Sequence, residues 1–333
     1  MKLAKITLEN ILGCPDGTYS FADETGEPFD VVAVTGPGGT GKTALLEAIC
    51  ANKEHVGGYG PAPGPERLLR RGSTTGRIAS SWVLTDQERR FAGAPSVRCD
   101  VELRIDGDTS RIADGTADLR RLFEQFHRSE GLGKFEYFPA NRDLHDMGGG
   151  GPPQPPLPLA LEAASRMGKH PGKYDAVPGT LQEAAMRAAT DVLTELRDNG
   201  VVLGAPSRDS LEPYRSALHQ LTDTIRIDGL VPSGAGSTLR FARQGGYHVD
   251  LNELSASERQ ALLFATTFVR LRLDNSVVLI DEPELHVHPV EQAEALRRLG
   301  GLGKNNQIIV ATSSAGILRD LQSRQIRVLG ASR

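Results

Sequence analysis

Short runs rich in apolar residues predict the buried strands of this chain. One run covers Phe29 to Thr35, another Phe135 to Phe138, and a third Ser276 to Asp281. The third is apolar through its interior, which is typical of a strand in a parallel sheet covered on both faces. We therefore expect a parallel sheet assembled from distant parts of the chain.

Alternating apolar and polar positions predict a second, antiparallel sheet. Leu3 to Leu8 alternates as a strand, and Tyr19 to Phe21 is placed to pair back onto it. Ile78 to Leu84 and Val97 to Ile105 also alternate, separated by the charged stretch Asp86 to Arg90. Because alternation marks strands with one buried face, these segments predict an antiparallel β-subdomain beside the parallel sheet.

Apolar positions at helical spacing fill much of the remaining chain. Leu181 to Asp198 and Leu211 to Thr224 predict a small helical lobe, and Ser255 to Arg272 predicts a further helix. The glycine- and proline-rich run from Met147 to Pro158 is typical of a flexible linker. No heptad pattern extends over several repeats, so no long coiled-coil arm is expected.

These patterns divide the chain into three parts. Residues 1–145 form the N-terminal part of an α/β head and carry the antiparallel β-subdomain. Residues 146–225 form the linker and the helical lobe. Residues 226–333 return to alternating strands and helices and complete the head.

Composition narrows the class of protein but does not identify a partner. The 333 residues are 39% hydrophobic, which is enough for a sizeable core, and the net charge of -4 gives no general attraction to nucleic acid or membrane. The 3 cysteines suit neither a disulfide framework nor a zinc site. Neither a signal peptide nor an apolar run of about 20 residues is present, so we expect a soluble, cytoplasmic protein without membrane contact.

The most specific motif is a glycine-rich loop between a predicted strand and a predicted helix. It follows the strand that ends at Thr35 and precedes the helical run Ala44 to Cys50. A chance glycine-rich turn is the alternative, but strand, loop and helix are the context that the phosphate-binding pattern G-x-x-x-x-G-K-[S/T] requires. The chain matches this pattern throughout, at Gly36, Pro37, Gly38, Gly39, Thr40, Gly41, Lys42 and Thr43.

The chemistry of this loop suits a nucleoside triphosphate. Glycines allow successive backbone N–H groups to point into one concavity, and the helix that follows adds the positive end of its dipole. Lys42 supplies a mobile positive charge for the outer phosphates, and we predict a catalytic role for it. Thr43 supplies a hydroxyl for Mg²⁺. The sequence therefore predicts a P-loop NTPase that binds a nucleotide together with Mg²⁺.

Two acidic residues, Asp281 and Glu282, stand at the end of the apolar strand that begins at Ser276. Asp281 emerges at the carboxyl end of this strand, where ligands bind in parallel α/β sheets, and we predict that it helps to hold Mg²⁺. Glu282 is one residue further along and is the candidate general base that polarises the attacking water. A buried strand that simply ends in a charged turn is the alternative, and the glycine loop upstream weighs against it.

A third motif precedes the predicted helix Ser255 to Arg272. Ser255 and Glu258 fit the pattern S-x-x-E of a capping box, which by itself indicates only a well-capped helix. Ser255 lies 26 residues before Asp281, a separation that suits one helix, a turn and one strand.

Together, these three motifs resemble the heads of ABC-type ATPases. The chain is most similar to the RecF/SMC-like branch, and within it to the ATP-binding domain of the OLD (overcoming lysogenization defect) family. The run from Leu279 to Pro289, which reads LIDEPELHVHP, resembles that family's motif, and Tyr137 to Arg142 also fits. The resemblance covers residues 1–50, 135–145 and 226–329. The chain stops about fifty residues after Asp281, so we expect no appended nuclease domain.

The resemblance implies a mixed sheet, a flanking β-subdomain and a dimer. In such heads, two ATP molecules lie between two protomers arranged head to tail. Each site takes its glycine loop, Asp281 and Glu282 from one chain, and the signature segment of the other chain caps the γ-phosphate. The signature residues would be Ser255, Ser257 and Glu258.

Two positions depart from the family pattern. Ser257 stands where the signature has glycine, and its side chain could crowd the phosphate or be tolerated. Ser313, after the strand Ile308 to Ala311, stands where the family has a switch histidine; a hydroxyl can bond the γ-phosphate but cannot carry the charge of imidazole. Both changes predict slow turnover and leave ATP binding intact.

Several other residues have two interpretations. His286 lies close to His288, but no further ligands have metal-site spacing, so we expect it to shape the loop at the dimer seam. Asn141 and Arg142 either contact phosphate or Mg²⁺ or form a surface turn. A cluster of basic residues could form either a solvated face or a contact for the DNA backbone; it comprises Arg67, Arg70, Arg71, Arg77, Arg89 and Arg90.

The leading hypothesis is a Mg²⁺-dependent ATPase that works as a homodimer in DNA repair, DNA surveillance or bacterial anti-phage defence. A partner effector or nuclease would perform any cleavage. The alternative is a nucleotide-sensing scaffold that holds or releases an effector with little turnover. A phosphotransferase is disfavoured, because it has no use for the Ser255 segment.

Overall fold

The structure is a computed structural model, and it describes residues 1–112, 117–126, 131–144, 159–199, 209–233 and 236–330. The predicted linker from Met147 to Pro158 lies outside these residues. The described chain separates into two compact units. The first comprises the described residues within Met1–Asn141, Pro158–His170 and Leu273–Arg333, and the second those within Arg142–Leu157 and Pro171–Arg272.

A five-stranded parallel sheet forms the centre of the first unit. Its strands stand in the order β13-β3-β12-β11-β7, and every pair described is parallel. The interiors of β3, β7, β11 and β12 are buried, as the continuous apolar runs predicted, whereas β13 at the edge of the sheet is partly exposed. The strands are β3 (Val31–Thr35), β7 (Phe135–Phe138), β11 (Val277–Asp281), β12 (Gln307–Ala311) and β13 (Ile326–Val328).

A five-stranded antiparallel sheet accompanies it in the same unit, in the order β2-β1-β4-β5-β6. Its alternating pattern is visible in β4, where every second residue is buried. This sheet, and the pairing of the Tyr19 segment with the first strand, confirm the predicted β-subdomain. The strands are β1 (Lys2–Glu9), β2 (Gly17–Ser20), β4 (Thr75–Val83), β5 (Arg98–Asp106) and β6 (Thr109–Ile112).

Helices of the first unit pack around the central sheet, and α1 contacts β11 and β12. Trp82, Phe123 and Phe135 meet edge to face, which joins β4, α4 and β7 in one apolar core. The helices are α1 (Lys42–Gly57), α2 (Pro65–Leu68), α3 (Asp86–Ala92), α4 (Ala117–Phe123), α5 (Leu159–Ser165), α9 (Gln292–Gly300) and α10 (Ala315–Asp320).

The second unit combines helices with a three-stranded antiparallel sheet of order β10-β9-β8. Helix α8 packs against both α6 and α7, and α6 and α7 contact β8. The elements are α6 (Ala176–Asn199), α7 (Glu212–Leu221), α8 (Ala256–Leu271), β8 (Ile225–Ser233), β9 (Gly236–Arg243) and β10 (His248–Val249). The helix that follows Ser255 thus belongs to the same compact unit as the predicted helical lobe.

Several elements were not predicted from the sequence, and these are α2, α3, α5, β6, β8 and β10. The charged stretch after Thr85 is helix α3, because the Thr85 side chain and Glu88 form a capping box and Gly93 ends the helix in a left-handed conformation. Strands β6 and β8 each form a hairpin with the strand next to them in the chain, since Asp106 pairs with Thr109 and Ser233 with Gly236. Neither strand has a clear alternation of apolar and polar residues, which is the pattern that would have predicted it. None of the helices in the described ranges is both long enough and apolar enough to span a membrane.

Candidate functional site

The glycine loop leaves the N-terminus of α1 open to solvent. Gly41 is the N-cap residue, with a φ of +94°, and no side chain caps the helix. The first turn of α1 contains no acidic residue. The first N–H groups of a helix are unpaired unless a side chain caps them, so this end presents free donors and a positive dipole end. The arrangement is suited to binding an anion such as a phosphate.

Close packing explains why residue 41 is a glycine. A Cβ atom at Gly41 would lie 2.5 Å from the carbonyl oxygen of Gly13 and 2.8 Å from the Cα of Cys14. The backbone from Leu12 to Asp16 therefore lies directly against the loop. Arg70 holds this segment in place, since its Nη2 donates to the carbonyl of Cys14 at 2.6 Å and to Asp16 Oδ1 at 2.7 Å.

Lys42 is held at the centre of the loop by backbone oxygens. Its Nζ donates to the carbonyl oxygen of Gly36 at 2.8 Å and to that of Pro37 at 3.1 Å. These are neutral acceptors, and a phosphate oxygen is a stronger partner for an ammonium group. Lys42 is thus placed to exchange carbonyl oxygens for phosphate oxygens within the same loop.

Thr43 and Asp281 are brought together from positions 238 residues apart in the chain. The Thr43 hydroxyl donates to Asp281, with its Oγ1 2.9 Å from Oδ2 and 3.1 Å from Oδ1. Asp281 is only 3% exposed at the carboxyl end of β11. A hydroxyl beside a carboxylate is an oxygen donor set of the kind that Mg²⁺ prefers.

Glu282 follows Asp281 in a backbone conformation that is unusual for its residue type. Its φ is +50°, and its N–H donates to the carbonyl oxygen of Ala311 at 2.8 Å. A residue with a Cβ in the left-handed region carries strain, and such residues cluster at functional sites. The hydrogen bond to β12 fixes this geometry, and the side chain is exposed.

Glu284 joins the loop after β11 to the loop after β12. Its Oε2 accepts from the Thr312 hydroxyl at 2.8 Å, and its Oε1 accepts from the Ser313 N–H at 2.8 Å. The Ser313 side chain remains exposed beside this contact. The sequence analysis gave Glu284 no role of its own. Its position in the Asp-Glu-Pro-Glu run was the available signal.

The predicted signature segment forms a complete capping box at the start of α8. The Ser255 hydroxyl accepts from the Glu258 N–H at 3.3 Å, and Glu258 Oε2 accepts from the Ser255 N–H at 2.8 Å. The hydroxyls of Ser255 and Ser257 are 3.2 Å apart, and both residues are exposed. This end of α8 is therefore capped by its own side chains, whereas the N-terminus of α1 is open.

Arg243, on β9, completes the capping box from outside. Its Nη2 lies 2.6 Å from Glu258 Oε2, and Glu258 is only 7% exposed. Burial acts to raise the pKa of Glu258, but hydrogen bonds from Arg243 and Ser255 outweigh it, and the pKa falls below its ordinary value of 4.5. The sequence analysis missed Arg243, because its partner lies on another element.

We predict that Glu258→Gln destabilises the protein by about 1 kcal/mol at neutral pH, because it weakens the cap and removes the ion pair. A depressed carboxyl pKa stabilises the fold above the unfolded value and loses this effect as pH falls through the folded value. The difference between wild type and Glu258→Gln should therefore shrink below about pH 4.5. Urea denaturation at several pH values measures it. A difference that grows on acidification would contradict the assignment.

Asn141 and Arg142 differ in their surroundings. Asn141 is exposed in the turn after β7. Arg142 is 5% exposed, donates from Nη2 to Gln260 Oε1 at 3.2 Å, and lies 5.3 Å from the centre of the Phe264 ring. The interpretation of this pair as a surface turn therefore fits Asn141, whereas Arg142 is anchored to α8.

His286 also adopts a left-handed conformation, with a φ of +62° in the tight loop after β11. No group of three or more histidine, cysteine or acidic side chains suited to a metal occurs within the described parts of the chain. His286 is thus a loop residue in the structure.

The basic cluster has many local acidic partners. Arg70 pairs with Asp16 at 2.7 Å, and Arg77 pairs with both Glu9 and Glu102 at 2.9 Å. Arg67 and Arg89 approach acidic neighbours on their own helices at 3.9 Å. Local pairing reduces the positive potential that a DNA backbone would meet.

Residues 161–319 match the model of a family described as "AAA domain, putative AbiEii toxin, Type IV TA system". The matched region includes the Ser255 segment and Asp281, while the glycine loop lies before it.

Solved structures of Smc head domains are similar to the whole chain. A Smc head bound to the C-winged helix domain of ScpA aligns with a TM-score of 0.54 and 12% identity, covering 96% of this chain and 92% of that one. A Smc head with an extended coiled coil from Pyrococcus furiosus, bound to the C-terminal domain of ScpA, aligns with a TM-score of 0.50 and 14% identity, covering 96% and 91%.

At these identities the similarity concerns the fold, and it confirms the predicted α/β P-loop class. The assignments to the RecF/SMC-like branch and to the OLD family stay predictions. The fold of this chain is that of an ABC/AAA-like ATPase head.

Proposed function

We propose that this protein is a Mg²⁺-dependent ATPase of the ABC type. The proposal rests on three features that lie together in the first unit, namely the open N-terminus of α1, Lys42 and the Thr43–Asp281 pair. Each part meets one need of a triphosphate: backbone donors, a mobile cation and an oxygen donor set for a metal. Asp281 adds a buried carboxylate to the arrangement, which a simple anion site would not need.

Binding would proceed by exchange of partners within the loop. Lys42 releases the carbonyl oxygens of Gly36 and Pro37 and binds the outer phosphates. Thr43 and Asp281 are the residues that would hold Mg²⁺, which would neutralise phosphate charge there. Glu282 accepts the proton of the attacking water, so that water and ATP give ADP and phosphate.

A homodimer would complete the site, as the resemblance to ABC heads implies. Ser255 and Ser257 of one protomer would face the γ-phosphate bound by the other. Two observations support this role: both hydroxyls are exposed, and the α8 cap is stiffened by Arg243 and Glu258. Asn141, His286 and Ser313 remain further candidates near the seam. The division of the chain into the parts 1–145, 146–225 and 226–333 likewise stays a prediction.

A role in bacterial defence is the biological setting that we propose. The description of the matched family includes a putative toxin of a toxin–antitoxin system, which favours defence over housekeeping repair. The similar Smc heads are bound to ScpA domains, which supports an analogous partner effector here. DNA is a less favoured partner, because Arg70 and Arg77 are paired locally.

The second candidate function is a nucleotide-sensing scaffold with little turnover. Ser257 and Ser313 stand where ABC heads have glycine and histidine, and the Ser313 N–H is held by Glu284. Such a protein would bind ATP and dimerise without rapid hydrolysis.

A measurement of ATP binding tests the nucleotide site that both candidate functions share. We expect Lys42→Ala to weaken ATP binding by about a hundredfold, because a charged partner of the phosphates is lost. Calorimetric titration of the full chain with Mg²⁺ and ATP measures this loss. Lys304→Ala is the matched control, since Lys304 is exposed and outside the loop. Equal affinity of wild type and Lys42→Ala would exclude the phosphate loop as the binding site.

A further inference from the structure

Helix α6 exposes a stripe of apolar side chains. Met186 is 59% exposed, Leu193 68% and Leu196 49%, and these are three of the seven large apolar residues that are exposed in the described chain. Ala189 is exposed in the same part of the helix. We call these four residues the α6 stripe. An exposed apolar patch of this kind is typical of an interaction surface.

The α6 stripe is separate from the face by which α6 packs into its own unit. The buried residues Val177, Leu181, Ala184 and Ala185 all lie in the first half of the helix. With successive residues about 100° apart, the stripe lies roughly 120° around the helix from them. From Met186 to Arg197, no described side chain is buried. The apolar stripe in the second half of α6 is therefore available to a partner.

The spacing of the stripe is that of a coiled-coil seam. Its members lie at positions 186, 189, 193 and 196, so the intervals are three, four and three residues. Such a/d spacing places all four on one line along a helix, and it is narrower than the face of an ordinary amphipathic helix. It extends over less than two heptads, and therefore no long coiled coil was predicted from the sequence.

The geometry points to a second copy of this chain as the occupant: we propose that α6 pairs antiparallel with α6 of another protomer about a twofold axis. In this register Met186 shares a layer with Leu196 of the other copy, and Ala189 shares one with Leu193. The residue numbers of the two members add up to the same value in both pairs, so a single twofold axis relates both pairs. The small Ala189 leaves room for the larger Leu193.

The flanking charges complement each other in the same register. With Met186 at position a, Glu183 and Arg197 both occupy e positions. In an antiparallel pair, e positions face e positions, so Glu183 of one helix meets Arg197 of the other at both ends. Within a single protomer, Glu183 pairs with Arg187 instead. A parallel pair would lack this match, since neither e position would then face its opposite charge.

The interface involves only the second unit and none of the nucleotide site. Self-association through α6 would therefore be independent of ATP, in contrast to the head-to-tail dimer. Its test does not depend on whether the protein binds or hydrolyses nucleotide.

Sedimentation velocity of the full chain without nucleotide provides the first test. We expect the wild type to form dimers and Leu193→Glu to weaken self-association by about a hundredfold, because a carboxylate enters the apolar seam. Val97→Glu is the matched control, since Val97 is also an exposed apolar residue, 41% exposed, on another unit. A monomeric wild type, or a dimer unaffected by Leu193→Glu, would overturn the proposal.

Charge exchange tests the antiparallel register. Glu183→Arg and Arg197→Glu should each weaken the dimer, because like charges then meet at both ends. Mixing the two variants should restore association, since every end of the mixed dimer again joins opposite charges. This rescue also controls for folding, as a misfolded variant could not recover on mixing. Equal weakening of the mixture and the separate variants would exclude this register.

Cysteine pairing distinguishes the two orientations. The double variant Ala189→Cys with Leu193→Cys should form disulfide-linked dimers under mild oxidation, because these positions share a layer only in the antiparallel pair. Leu193→Cys alone should not, since it faces Ala189. The native Cys14 and Cys50 are buried, and the wild type controls for Cys99. Efficient crosslinking of Leu193→Cys alone would indicate parallel pairing and contradict the proposal.

Discussion

Glu282→Gln is expected to reduce ATP turnover by about 10²- to 10⁴-fold while ATP binding is retained. Glutamine preserves the size of the side chain but cannot accept the proton of the attacking water. The left-handed backbone at Glu282 and its N–H bond to Ala311 are independent of the carboxylate, so the loop should keep its shape. Release of phosphate measures turnover, and light scattering with and without ATP measures association.

Glu291→Gln is the matched control for this substitution. Glu291 is exposed just before α9, and its side chain makes no cap hydrogen bond to that helix. Turnover of this variant should equal that of the wild type. If neither wild type nor Glu282→Gln hydrolyses ATP but both associate further on adding it, the scaffold function replaces the ATPase. If ATP increases the association of neither, the role proposed for Ser255 across protomers is excluded.

Gly41→Ala is expected to destabilise the fold by about 3 kcal/mol, the sum of left-handed strain and overpacking. A Cβ atom would lie 2.5 Å from a backbone oxygen, which cannot move like the end of a flexible side chain. The backbone of Gly13 and Cys14 would have to move, and with it the contacts that Arg70 makes. Urea denaturation, followed by circular dichroism, measures the loss.

Gly38→Ala is the matched control in the same loop. Its φ is not in the left-handed region, and a Cβ at this position would meet nothing within 4 Å. Its effect on stability should therefore be small, below about 0.5 kcal/mol. Equal stability of Gly41→Ala and Gly38→Ala would show that the segment from Leu12 to Asp16 does not lie against the loop.

Local sequence patterns predicted most strands of the two five-stranded sheets, the glycine loop and the capped helix, because each of these is specified by neighbouring residues. Strand β11 is a continuous apolar run, and Ser255 with Glu258 follows the capping pattern directly. The proximity of Thr43 and Asp281 also followed, since carboxyl ends of parallel strands and the starts of the helices that follow them lie at one edge of the sheet.

Contacts between distant elements could not be predicted in the same way. Arg243 reaches Glu258 from β9, and Glu284 reaches Thr312 from the neighbouring loop. One sequence does not indicate which arginine or glutamate will find such a partner. The exposed stripe of α6 was visible only as helical periodicity, because periodicity cannot distinguish a buried face from an exposed one.

The strand order of the parallel sheet has a consequence for synthesis of the protein. Strand β3, which carries the glycine loop, lies between β12 and β13, and both come from residues 307–328. A nascent chain on the ribosome thus exposes β3 without either neighbour until these residues have been made. The strand that carries the phosphate loop acquires its neighbours only then, so we expect nucleotide capture to follow the synthesis of β12 and β13.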